Sequence, residues 1–140
     1  MERQLVIFEL AHELYGVEIA FVESIIKMQA VTAIPHTEQF VEGVINLRGS
    51  VLPVIDLHKR LGLPAKVLSK NSRIIVVMAN NTKVGMIVDM VCEVLNVSGE
   101  AIEPPPAMIA GADAEVIIGI AKIADRLVIL LDLGKLLSDV

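Results

Sequence analysis

Gly43-Val44-Ile45-Asn46-Leu47-Arg48-Gly49-Ser50-Val51-Leu52-Pro53-Val54-Ile55-Asp56-Leu57 holds two short apolar runs parted by a polar Asn-x-Arg-Gly. Short runs rich in Val and Ile, separated by turn formers, read as strands, and Gly49 supplies the backbone freedom that a hairpin turn needs. The stretch recurs. Gly43 to Gly62 lies over Gly119 to Ser138 at a constant offset of 76, with Gly43/Gly119, Asp56/Asp132, Leu57/Leu133, Lys59/Lys135 and Leu61/Leu137 identical, and apolar residues match apolar ones at most intervening strand positions. The two tips differ in chemistry, the counterpart of Asn46 to Gly49 being Lys122-Ile123-Ala124-Asp125.

Working outward, a weaker second match lays Leu5 to Gly16 over Ile74 to Gly85 at an offset of 69, sharing the hydrophobic pattern and the final glycine. Other apolar segments fall at Val17 to Ile19, Val84 to Val88, Ile117 to Ile120 and Leu127 to Leu131. Ala79 to Lys83 carries Asn80-Asn81, and asparagine tolerates the positive φ of tight hairpins; the equivalent turn is Ala11 to Leu14. The chain thus reads as all-β with short helices and an internal duplication of about 70 residues. A unit of that size has a thin core, so the expectation is one domain, 1–140. Its two barrel subdomains would be built mainly from the halves before and after about residue 70 and would not fold apart. After each repeated aspartate a short helix is expected, Asp56 and Asp132 capping its free N–H groups. Pro104 to Pro106 place a loop over Ile102 to Ala114.

Composition bounds the function. At 140 residues with a net charge of −5 and 3% aromatics, the chain lacks the basic footprint and stacking platforms of a nucleic-acid binder. The cluster Lys59, Arg60, Lys66 and Lys70 reads as solvated. No apolar run approaches the length of a membrane-spanning helix, and Met1-Glu2-Arg3-Gln4 does not open a signal peptide, so a cytoplasmic protein is expected. Cys92, the single cysteine, reads as a buried structural thiol.

No residue pattern nominates catalysis. Paired aspartates in a duplicated β protein invite comparison with an aspartic protease, but Asp56 and Asp132 each precede a leucine and an amphipathic turn, which favours capping. His12, His36 and His58 lack zinc-ligand spacing and read as solvated. No hydroxyl residue sits in a nucleophile elbow, and no phosphate loop or dinucleotide fingerprint is present. Neither metal nor cofactor is expected. Arg48 remains: either it solvates a hairpin tip, or its five fixed donors on a rigid turn make a recognition residue.

The motif G-V-I-N-L-R-G-x-V-x-P-V-I-D-L resembles the signature of the CheW family. Further family marks follow in order: Leu14 to Ile19 with Val22 and Ile25, Ile34-Pro35, Val84 to Asp89 with Val91 and Val94, Ile102 to Pro105, Ile118 to Ile120 and Val128 to Asp132. The resemblance extends from about Gln4 to Leu137. It implies two SH3-like five-stranded β-barrels packed through a shared hydrophobic core. It also implies a non-catalytic adaptor that couples the cytoplasmic tip of chemoreceptors to the regulatory domain of the histidine kinase CheA in chemotaxis signalling. The receptor groove, between the barrels in such proteins, would draw on Arg48 with Asn46, Val22, Ser24 and Glu42. The rival expectation is a small-molecule-binding or catalytic β-barrel.

Overall fold

The computed structural model describes residues 2–35, 37–106 and 115–138. In chain order the strands are β1 (Glu2–Leu10), β2 (Glu13–Glu18), β3 (Val22–Lys27), β4 (Val41–Leu47) and β5 (Ser50–Asp56), followed by helix α1 (Leu57–Arg60). Then come β6 (Arg73–Ala79), β7 (Thr82–Val88), β8 (Met90–Ser98), β9 (Ile102–Glu103), β10 (Ile117–Ile123), β11 (Arg126–Leu131) and helix α2 (Leu133–Leu136). They form two sheets, β8-β1-β2-β11-β10-β9 and β3-β6-β7-β5-β4. One sheet therefore has six strands where five were expected, the addition being the two-residue β9 that pairs with β10 just before Pro104.

Strand period explains the packing. On β1, Leu5 and Ile7 enter a cluster enclosed by the six-stranded sheet, while Val6, Phe8 and Leu10 enter a second cluster shared with the other sheet. β6 divides in the same way, Ile74 and Val76 to the interior of the five-stranded sheet, Ile75, Val77 and Ala79 to the shared core. Because successive side chains point to opposite faces, strands buried on both faces must be apolar almost throughout. Phe8 stacks on Tyr15 in the shared core with ring centroids 6.2 Å apart. Full burial of each such side chain contributes on the order of 1.5–3 kcal/mol.

The duplication is exact at the level of register. The hairpin β1–β2 meets β11 in parallel with Gly16 opposite Leu130, and β6–β7 meets β5 in parallel with Gly85 opposite Val54. Gly43 and Gly119 are both forced. A Cβ on Gly43, whose φ is +149°, would lie 2.1 Å from the carbonyl oxygen of Thr32, and one on Gly119 would lie 2.5 Å from that of Glu103. Another backbone occupies the place of a side chain.

Each sheet draws most of its strands from one side of residue 70 and a single hairpin from the other. The five-stranded sheet is drawn from β3 to β7, and the six-stranded one from β1 and β2 together with β8 to β11. Each repeat thus lends its hairpin to a sheet completed by strands of the other repeat. Two expectations about single residues are corrected. Cys92 is exposed on β8, its neighbours along that strand alternating in exposure. His58 is buried, 3% exposed, because both ring nitrogens find partners: Nδ1 lies 2.7 Å from the Pro64 carbonyl oxygen and Nε2 lies 2.9 Å from Asp89 Oδ1. His36, expected to be solvated, lies outside the described residues, as does the 107–114 part of the expected loop.

Candidate functional site

The hairpin β4–β5 closes on the pair Leu47 and Ser50, leaving Arg48 and Gly49 as a two-residue turn with φ of +53° and +86°. Positive φ at both central positions is the primed turn whose twist matches the strands it joins. Asn46 Oδ1 accepts a hydrogen bond from the Gly49 N–H at 3.0 Å, which stiffens the tip. Arg48 is exposed, and among the described residues no hydrogen bond or ion pair engages its guanidinium.

Arg48 lines a concavity of about 510 Å³ with Glu23, Ser24, Leu47, Val51 and Lys83 among its walls. Glu23 and Ser24 stand on β3, one edge of the five-stranded sheet, and Arg48 follows β4, the other edge, so the curl of the sheet brings the two edges together. A bulge between Val22 and Ser24 inserts Glu23, re-aiming the strand at this rim. Lys83 Nζ holds Glu23 at 2.9 Å; that pair is largely self-neutralising, and the charge left over is that of Arg48. Val51 beside it is 73% exposed. The chemistry on offer is a rigid, unengaged guanidinium next to apolar surface, suited to a carboxylate or carbonyl group flanked by an apolar side chain.

The expected site residues therefore separate. Arg48 and Ser24 share the concavity, whose walls all come from the five-stranded sheet rather than from between the sheets. Asn46 buttresses the turn from behind. Val22 is half-buried and packs on the shared core. Glu42, near the far end of β4, is engaged within the molecule, accepting from Lys66 Nζ at 2.7 Å.

Lys66 is the residue that the sequence concealed. Expected to be solvated, it bridges Glu42 and Asp56, the latter 2% exposed, at 2.7 and 3.0 Å. Burial is the largest single influence on its ammonium and opposes the charge, but the hydrogen bonds and charges of Glu42 and Asp56 together outweigh it and raise the pKa above the usual lysine range. Arg60 was also misjudged: its guanidinium lies 5.4 Å from the Phe40 ring centroid, and its Nε donates to the Leu136 carbonyl oxygen. No local signal marks these contacts, which span 10 to 76 positions. Asp56 and Asp132 behave as expected, each Oδ1 accepting from a backbone N–H, of Lys59 at 3.3 Å and of Lys135 at 3.1 Å.

Burial, with Glu9 and Glu93 nearby, pushes the Cys92 thiol up, only Arg126 opposing it. An exposed cysteine with that bias is a poor nucleophile at neutral pH. Among the described residues no three His, Cys, Asp or Glu side chains are grouped so as to hold a metal ion, and no helix is long and apolar enough to cross a membrane.

Comparison with known proteins bears on this geometry. The family model of the CheW-like domain matches residues 4–140. The chemotaxis protein CheW of Treponema pallidum is 38% identical over 139 residues, covering 96% of this chain and 82% of that protein. The chemotaxis protein CheW of Bacillus subtilis is 36% identical over 135 residues, 96% of this chain and 86% of that one. Among solved structures, the scaffolding protein TtCheW from Thermoanaerobacter tengcongensis superposes with a TM-score of 0.89 at 45% identity, covering 97% of this chain and 88% of that chain.

Proposed function

We propose, from the premise that this chain belongs to the CheW-like domain family, that it is a non-catalytic adaptor coupling chemoreceptors to the histidine kinase CheA. It would act in the cytoplasm, held at membrane-bound receptor arrays by the cytoplasmic tips of the receptors and by the regulatory domain of the kinase. The observation that supports this reading best is Arg48: a guanidinium on a buttressed turn, without a partner among the described residues and beside exposed Val51. An adaptor needs such preformed anchors, because rigid presentation lowers the ordering cost of association.

Ser24 completes the rim of the proposed receptor contact, Asn46 positions Arg48, and Val22 joins the rim to the core. Glu42 contributes through its ion pair with Lys66, on which the shape of the neighbouring loop depends. The test is titration of wild-type protein and Arg48→Glu with a receptor-tip fragment, each with a thermal melt. Loss of affinity at an unchanged melting temperature is expected. Wild-type affinity in the variant would make Arg48 a solvated turn residue and move the interface elsewhere.

A further inference from the structure

The two repeats end in the same capped turn but are finished differently. After α1 the chain doubles back: the Leu63 N–H donates to the His58 carbonyl oxygen at 2.7 Å, and the Pro64 carbonyl meets the His58 ring. Lys66 then bridges Glu42 and Asp56. Pro64 and Ala65 line a recess together with His58 and Met90. The offsets of 76 and 69 that relate the repeats carry Glu42, Asp56 and His58 onto Ile118, Asp132 and Gly134, and Phe21 onto Met90.

Phe21, Ile118, Asp132 and Gly134 line a single concavity of about 200 Å³, with Glu18 at its rim. Phe21 is 40% and Ile118 39% exposed, and none of the described residues plays there the part of Pro64 to Lys66. The aspartates divide their oxygens alike. Asp56 gives Oδ1 to the backbone N–H of Lys59 and Oδ2 to Lys66; Asp132 gives Oδ1 to the backbone N–H of Lys135, and among the described residues its other oxygen has no recorded partner. Glu18 is held by Arg3 at 3.3 Å, so Asp132 is the carboxylate available to an incoming cation.

We propose that the concavity over α2 is a docking site for an extended segment of a partner protein with the chemistry of Pro64-Ala65-Lys66, two small apolar residues followed by a lysine whose ammonium meets Asp132. The occupant is identified by what this fold uses to fill the equivalent place in its own first repeat, and by charge. Ile118 where the first repeat has Glu42 removes one of two carboxylates and adds apolar surface, and at Gly134, where it has His58, the Asn80 amide lies alongside and donates to the Gly134 carbonyl oxygen at 2.8 Å. The site thus favours a segment with one cation and fuller apolar contact. This inference stands on the internal repeat and is independent of Arg48 and of the receptor reading.

The probe is a synthetic peptide of the chain's own sequence Leu61 to Ser69, titrated into isotopically labelled full-length protein and followed by amide chemical shifts. Shifts centred on Phe21, Ile118, Asp132 and Gly134 are expected. Asp132→Ser keeps a capping oxygen but removes the charge and should weaken binding at least about fivefold. Ile118→Ser, which removes the apolar wall, should weaken it severalfold, and a peptide with methionine in place of its lysine should bind none of the three proteins measurably. No saturable shift at millimolar peptide overturns the proposal, as do shifts centred on Glu42 and Asp56 or an affinity indifferent to both substitutions.

Discussion

At the residue scale, Arg48 is held where a branched or long side chain is least comfortable. A non-glycine residue at φ near +53° carries a strain on the order of 1 kcal/mol, and asparagine tolerates that region better. Arg48→Asn should therefore raise stability slightly, by about 0.5 kcal/mol in urea denaturation, while weakening receptor-tip binding. Arg48→Glu should stay within about 0.5 kcal/mol of wild type in stability and lose about 2 kcal/mol of binding, roughly 30-fold. Lys66 gives the opposite profile. Lys66→Met leaves the 2%-exposed Asp56 without its cation and should cost about 2 kcal/mol of stability, read from the urea midpoint at pH 7. Because the Lys66 pKa is raised in the folded state, its contribution is complete below the unfolded lysine value and is lost as pH rises past about 10.4. The stability gap between wild type and Lys66→Met should accordingly narrow in strongly alkaline buffer and hold constant from pH 7 to 9.

At the scale of elements, the repeat-leading glycines matter more than any side chain near them. A Cβ at Gly43 or Gly119 meets a carbonyl oxygen of a neighbouring backbone at 2.1 or 2.5 Å, and backbone cannot swing aside as a side chain does. Gly43→Ala and Gly119→Ala should each lower stability by about 3 kcal/mol. Nothing lies within 4 Å of a Cβ on Gly49, so Gly49→Ala should cost only the positive-φ penalty of about 1 kcal/mol. Thermal melts of the three variants would check the ranking; equal losses at all three would remove the steric account. The same comparison explains which elements were legible. Runs apolar on both faces, such as Leu5 to Leu10 and Ile74 to Met78, stand out in the sequence. The edge strands β3 and β8 escaped notice because their residues alternate between half-buried and exposed over most of their length, which dilutes the apolar signal.

For the whole molecule, the consequence lies in the exchange of strands between repeats. A cut between Ser69 and Lys70 leaves β1 and β2 without β8, β10 and β11, and leaves β3 to β5 without β6 and β7. Neither fragment holds a complete sheet, so neither should melt cooperatively alone. Mixed at equal concentration they should recover one cooperative transition, since every missing strand is present in the other fragment. Calorimetry of each fragment and of the mixture decides the matter: independent folding of either, or failure of the mixture to recover a transition, would count against the exchanged arrangement.

The sequence by itself determined that the chain is all-β, duplicated, capped at Asp56 and Asp132, and turned at Asn46 to Gly49. Strand period, turn chemistry and capping act over a few residues and are written locally. Which repeat completes which sheet was decided only by the tertiary structure, and so were the burial of His58, the bridge made by Lys66 and the separation of Glu42 from Arg48. Those depend on pairings between strands far apart in the chain, and a buried carboxylate selects its cation by distance in space, which spacing along the sequence does not encode.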